Sequence, residues 1–265
     1  MITDHFPMLK GLILDMDGVL WHDSEPIGNL PDVFVKIRDL GLDFVLATNN
    51  STKTVEEYQE KLNNFGVQVK SKQILTSGVA TFHYLQDSYT GKKMVYIVGS
   101  ESLKNDARKR GFTVFLEGEQ KQADFVIVGL DSTITYEKIC YAARQIRSGA
   151  KFIATNTDAT FPTPSGMVPG AGTMVSAVQT ASETEPLVIG KPASNLYIQA
   201  MKVMSLTPKQ VLCVGDRLAT DVLGAQNGGF NSAFLLSGVN SLEDLKKWEP
   251  QPDIVAENLT ALIYG

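Results

Sequence analysis

Cysteine is nearly absent from this chain, with Cys140 and Cys213 alone among 265 residues. Both stand in apolar company, Ile139-Cys140-Tyr141 and Leu212-Cys213-Val214. They read as small buried hydrophobes, which argues against a disulfide framework or a zinc cluster. Histidine is as scarce: His5, His22 and His83 form no His-Glu-x-x-His pattern and no metal-spaced pair. An excess of positive charge is also missing. With 24 Lys and Arg against 29 Asp and Glu, the net charge is −5. That argues against binding of a nucleic-acid polymer and leaves room for a local basic pocket. No apolar run approaches the roughly 20 residues needed to span a bilayer. No basic region followed by a long apolar core opens the chain, so the expectation is a soluble, cytoplasmic protein with no membrane partner. Internal repeats, low-complexity tracts and long charge runs are missing too. What remains is an ordinary globular chain, long enough for one large or two modest domains.

Strands and helices are expected to alternate almost from end to end. Short apolar runs predict strands at 11–14, 42–47, 93–98, 112–116, 124–129, 151–154, 187–189, 210–214, 232–236 and 254–255. Between them, helices are expected at 31–40, 51–65, 78–88, 100–110, 136–148, 172–182, 193–204, 219–227 and 242–247. Such alternation predicts an α/β fold, a parallel sheet wrapped by helices. Polar turns at 88–92 and 182–186 mark two soft boundaries. The expected organisation is a discontinuous core of 1–88 and 186–265, with 89–185 as an inserted cap domain.

The most informative stretch is Leu12-Ile13-Leu14-Asp15-Met16-Asp17-Gly18-Val19-Leu20-Trp21. A buried strand ends abruptly in two aspartates, at the edge where open α/β sheets bind ligands. Residues two apart in an extended segment point the same way, so the two carboxylates repel unless a cation or a proton intervenes. A Mg2+ site, or a nucleophile paired with a general acid, satisfies that condition, and so does a bland acidic turn. Three further segments bear on the choice. Thr48-Asn49-Asn50-Ser51 follows a strand and precedes a helix, which suits either phosphate binding or simple capping. Gly190-Lys191-Pro192 puts a lysine after a short apolar run. It could hold phosphate oxygens and offset the carboxylates, or stand at the surface. Val211-Leu212-Cys213-Val214-Gly215-Asp216 is a second strand ending in an aspartate, with Asp221 five residues on. Hard carboxylate oxygens there suit Mg2+.

Together these segments resemble the four motifs of the haloacid dehalogenase-like hydrolase superfamily: DxDG, a Thr or Ser after a strand, a Lys, and GDxxxxD. About thirty residues separate Asp17 from Thr48, whereas Thr48 to Lys191 spans 143. That spacing is similar to the subgroup with a large α/β cap between the second and third motifs. The details Asp-Gly-Val-Leu-Trp, Thr-Asn-Asn-Ser, Gly-Lys-Pro and Gly-Asp-Arg-Leu-x-Thr-Asp look like its NagD and p-nitrophenyl phosphatase branch. So do Ala154-Thr155-Asn156-Thr157-Asp158 and Pro169-Gly170-Ala171-Gly172-Thr173. Many members carry an acidic residue where this chain has Ala219.

The resemblance implies a Rossmann-like core and a Mg2+-dependent phosphatase of small organic phosphomonoesters. Nucleoside monophosphates, sugar phosphates, phosphoglycolate, glycerol phosphate and p-nitrophenyl phosphate are all within its range. It implies Asp15 as nucleophile, forming an aspartyl-phosphate, and Asp17 as general acid and then base. Asp15, the Asp17 carbonyl and Asp216 would hold Mg2+, with Asp221 orienting a metal-bound water or Lys191. Thr48, the Asn49 amide and Lys191 would bind the transferring oxygens. The cap would close over the site, with Asn156 and Asp158 as candidate substrate contacts, an Asx turn being the other reading of that pair. Cap-mediated homodimers occur among the proteins it resembles. A haloacid dehalogenase usually lacks the second aspartate, and a phosphomutase typically has a small cap between the first two motifs. A non-catalytic binding protein on this scaffold would tend to lose Asp15 or Asp216. Gly170-Ala171-Gly172 lacks the third glycine and the preceding strand of a dinucleotide fingerprint, so no such cofactor is expected.

Overall fold

The computed structural model describes residues 2–163 and 166–265. The chain folds into two compact units. One comprises residues up to Thr48, Val55–Leu75 and Lys191–Gly265, the other Asn49–Thr54 and Thr76–Gly190.

The first unit is built on six strands: β1 (Gly11–Leu14), β2 (Asp43–Thr48), β3 (Ile74–Thr76), β4 (Val211–Gly215), β5 (Asn231–Leu235) and β6 (Ile254–Ala256). Their order across the sheet is β6-β5-β4-β1-β2-β3. β1 pairs in parallel with both β2 and β4, and β4–β5 and β5–β6 are parallel as well. This is a Rossmann-like sheet, whose strand order reverses between β1 and β4. All four residues of β1 and all five of β4 are buried, which is why both read as unbroken apolar runs. Register pairs Leu14 with Val214 on one side and Leu46 on the other. One residue further on, Asp15 therefore stands level with Gly215 and Ala47.

Helix Leu30–Asp39 follows its expected course. Asn29 caps it by accepting from the Asp32 N–H, and Leu30, Val33, Phe34 and Ile37 form its buried stripe. Helix Val55–Asn64 starts four residues later than the sequence suggests. The Asn50 side chain captures the backbone N–H and hydroxyl of Thr52, which holds that segment in a turn. The stretch expected to be helical from 219 opens instead with a π-turn, Leu218–Val222, before helix Leu223–Asn227.

The inserted unit has its own five-stranded parallel sheet. Its order is Leu187–Val188, Lys151–Ala154, Phe125–Val128, Met94–Val98, Thr113–Phe115. Tyr96, Phe115, Val126, Ile146, Phe152 and Val175 belong to its buried core. At about 1.5–3 kcal/mol per buried large apolar side chain, a core of this kind is the dominant stabilising term of the insertion. An antiparallel hairpin, Thr160–Thr163 with Gly166–Pro169, precedes helix Ala171–Ser182.

Candidate active site

The strand-order reversal between β1 and β4 gathers four of the sequence-predicted side chains. Asp15 directly follows β1, and its N–H donates to the Val214 carbonyl at 2.9 Å, an extension of the β1–β4 ladder. Asp216 directly follows β4. Lys191 enters from a distant part of the chain and is buried. Its Nζ lies 2.6 Å from Asp15 Oδ1, 2.5 Å from Asp221 Oδ1 and 3.4 Å from the Ala47 carbonyl. Burial alone would push the ammonium toward neutrality. The facing Asp15 and Asp221 carboxylates outweigh it and hold the Lys191 pKa above its ordinary value.

The π-turn accounts for the position of Asp221. Asp221 N–H and Val222 N–H both donate to the Arg217 carbonyl, which widens the turn. The Arg217 N–H donates back to Asp221 Oδ2 at 3.1 Å. Asp221 thus presents Oδ1 to Lys191 while the backbone holds Oδ2.

Asp216 is fully buried. Its Oδ2 accepts from the Val239 N–H at 2.8 Å, whereas its Oδ1, also buried, has no hydrogen-bond partner among the described residues. Burial, reinforced by the Asp221 charge, pushes its pKa up to about 6. Asp15 is raised by the same desolvation, against the pull of Lys191. Gly18 makes room for this side chain. Its φ is +81°, and a Cβ there would fall 2.5 Å from Asp216 Oδ2.

Carboxylate oxygens of Asp15, Asp216 and Asp221 lie within 4.8 Å of one another. One lysine offsets a single carboxylate of the three, so the ionised cluster keeps a net charge of −2. A buried cluster of that charge favours a small hard dication. Among the described residues nothing satisfies the buried Asp216 Oδ1, which leaves it available to a cation. The residues present, the clustered carboxylates of Asp15, Asp216 and Asp221, therefore fit Mg2+.

The other predicted residues fall as follows. Thr48 ends β2 and is buried, facing the Tyr58 hydroxyl. Asp17 lies in the turn after β1, where Oδ1 accepts from the Trp21 indole at 2.8 Å. Asn49, Asn156 and Asp158 come together in the inserted unit. Asn49 Nδ2 donates to Asp158 Oδ2 at 3.1 Å, and Asn156 Nδ2 donates to the Asn49 carbonyl at 2.8 Å. Asn156 Oδ1 accepts from the Asp158 N–H, so the Asx turn is present here. Gly172 lies in the first turn of helix Ala171–Ser182 and packs against backbone, since a Cβ there would lie 2.4 Å from the Thr157 carbonyl oxygen. Sequence reasoning misses Trp21, Tyr58 and the Val239 N–H. The first stands four residues after Asp17, a spacing visible in the chain. The other two reach the site through tertiary folding, which leaves no local signature.

A family model described as haloacid dehalogenase-like hydrolase matches residues 12–113, and a HAD-hydrolase-like model matches 188–262. The 5'-nucleotidase YutF of Bacillus subtilis is 33% identical over 96% of this chain and 97% of its own length. The chain belongs to the haloacid dehalogenase-like hydrolases. Solved structures of this family superpose closely on it. A p-nitrophenyl phosphatase from Archaeoglobus fulgidus gives a TM-score of 0.89 at 30% identity, covering 96% of this chain and 98% of its own. NagD from E. coli gives 0.86 at 31%, covering 95% and 97%. A glycerol phosphate phosphatase from Mycobacterium tuberculosis, solved with magnesium, gives 0.87 at 32%, covering 97% and 77%. Within the haloacid dehalogenase-like hydrolases this chain falls in the NagD and p-nitrophenyl phosphatase branch, and it is a phosphatase with an aspartate-based, divalent-metal site.

Proposed function

We propose that this enzyme hydrolyses small organic phosphomonoesters through an aspartyl-phosphate formed on Asp15. The observation that carries this reading is the buried cluster of Lys191 with Asp15, Asp216 and Asp221 at the sheet's reversal point, with Asp216 Oδ1 unpartnered.

Asp15 Oδ attacks phosphorus in line as the ester P–O bond breaks. Asp17 gives its proton to the departing ester oxygen, then takes one from the water that opens the acyl phosphate. Lys191, fixed between Asp15 and Asp221, places its positive charge where the transferring oxygens gather negative charge. Thr48 and the Asn49 backbone amide supply further donors to those oxygens. Asp221 holds Lys191 in register. Asp15, Asp216 and the Asp17 carbonyl would hold Mg2+, whose charge would screen the approach of two anions.

The substrate class follows from the relatives, whose names span a nucleotidase, a glycerol phosphate phosphatase and p-nitrophenyl phosphatases. We read the choice among such esters as the task of the inserted segment, with Asn156 and Asp158 as its contacts. A net charge of −5 favours a small ester over a nucleic-acid polymer. Among the described residues no helix is long and apolar enough to cross a membrane. The two unpaired cysteines suit a reducing compartment, which supports a cytoplasmic location.

An acid quench during turnover tests the intermediate. The expected result is a mass increment of one phosphoryl group on the peptide carrying Asp15, missing in Asp15→Asn. Turnover by Asp15→Asn at the parent rate would overturn the assignment.

A further inference from the structure

Asp17 is exposed, and a carboxyl at the surface turns freely about its terminal bond unless something holds it. Here something does. The Trp21 Nε1–H donates to Asp17 Oδ1 at 2.8 Å. The backbone draws the same two residues together: Gly18 N–H donates to the Trp21 carbonyl at 2.8 Å, and Asp17 and Trp21 form an isolated β-bridge.

Trp21 is itself fixed. It has no exposed surface, so its N–H needs a partner within the protein, and Asp17 is that partner. Its ring stacks on Tyr58 at 6.4 Å between centroids with an interplanar angle of 18°, and it meets Phe65 at 5.9 Å. The Lys61 ammonium lies 3.9 Å from the indole centroid. Lys61 also donates to the Asp23 carbonyl at 2.6 Å, which ties that cation to the turn of the Trp21–His22 and Glu25–Pro26 hairpin. A cation over the face of an indole withdraws electron density from the ring and strengthens its N–H as a donor.

We infer that Trp21 is the positioning residue for proton transfer by Asp17. Its N–H makes Oδ1 a fixed acceptor and so assigns the transferable proton to Oδ2. The inference rests on the reading of Asp17 as general acid and base. In the first half-reaction the Oδ2 proton moves to the ester oxygen as the P–O bond breaks. In the second, a proton from the attacking water returns to Oδ2. Lys61, Tyr58 and Phe65 hold the indole, and none of them takes part in the transfer.

Leaving groups separate positioning from general structural damage. An alkyl alkoxide needs a proton as it departs, whereas p-nitrophenolate leaves readily without one. Trp21→Phe keeps a ring and removes the donor. The ratio of kcat/KM on glycerol phosphate to kcat/KM on p-nitrophenyl phosphate, which reports the step that expels the leaving group, is expected to fall about tenfold or more. In an Asp17→Asn background, Trp21→Phe should lower that ratio no further. Equal losses of kcat/KM on both esters would overturn the inference.

To guard against misfolding of Trp21→Phe, an isosteric tryptophan analogue with sulfur in place of N–H can be incorporated in a Trp248→Phe background. The same fall in the ratio is expected, and an unchanged ratio would overturn the inference. A readout independent of activity is the indole 1H–15N spectrum, since Trp21 and Trp248 are the two tryptophans. Asp17→Asn should shift the Trp21 resonance, assigned by Trp248→Phe, and an unmoved resonance would count against the contact. If Asp17→Asn itself lowers kcat/KM equally on both esters, the reading of Asp17 as general acid fails. If Asp17→Asn is leaving-group-dependent and Trp21→Phe is not, the role of Trp21 alone fails.

Discussion

Lys191 Nζ lies 2.6 Å from Asp15 Oδ1 across 176 residues of sequence. The chain closes that gap by inserting a second unit between β2 and β4, then returning at Lys191 to the strand ends it left. The lysine balances the nucleophile that we assign to Asp15, and it leaves Asp216 Oδ1 without a partner.

Removing this buried cation should therefore be costly. Lys191→Met leaves three carboxylates facing one another, and breaking a buried pair in this way costs about 3–5 kcal/mol. Thermal unfolding in EDTA should show a large fall in Tm, and Mg2+ should recover more of it than it adds to the parent protein. An unchanged Tm in EDTA would mean that the cluster is better solvated than the geometry shows.

The pH dependence follows from Asp216, raised by burial and the Asp221 charge from 3.8 to about 6. Between those values the folded protein holds a proton that the unfolded chain has lost. This group's contribution therefore makes the metal-free fold less stable as pH rises from about 4 to 6, by about 3 kcal/mol in all. A cation must displace the same proton, so Mg2+ affinity should fall about tenfold per pH unit below pH 6. The rise in Tm on adding Mg2+ should be larger at pH 7 than at pH 5, and equal shifts would contradict this.

In the inserted unit, Asp158 and Asn156 are bonded to Asn49. Asp158→Ala and Asn156→Ala should change the ranking of natural esters more than they change turnover of p-nitrophenyl phosphate. Parallel losses on every substrate would assign the pair to the Asx turn alone.

Much of this architecture is legible in the chain because parallel strands buried on both faces, such as β1 and β4, print as continuous apolar runs. Helix Leu30–Asp39 is legible for a similar reason, its stripe and its cap both being local. Interactions set by single side chains are not. Asn50 delays the helix that begins at Val55, and the Arg217–Asp221 bond widens the turn at 218–222. The hairpins at Trp21–His22 and Thr160–Thr163 escape the sequence pattern because strands this short carry almost no periodicity. At the site, Asp15 and Asp216 stand out as charged residues at the ends of apolar strands, Lys191 follows a short apolar run, and Asp221 stands five residues past Asp216. The Val239 N–H on Asp216 comes from 23 residues away and is a backbone group, which no residue type announces.

The most direct test of the central claim is phosphate release from a panel of phosphomonoesters, with Mg2+ and with EDTA, alongside Asp15→Asn. The account predicts release that requires Mg2+ and is lost in the variant by about 10^4-fold or more. Release that persists in EDTA, or in Asp15→Asn, would contradict it.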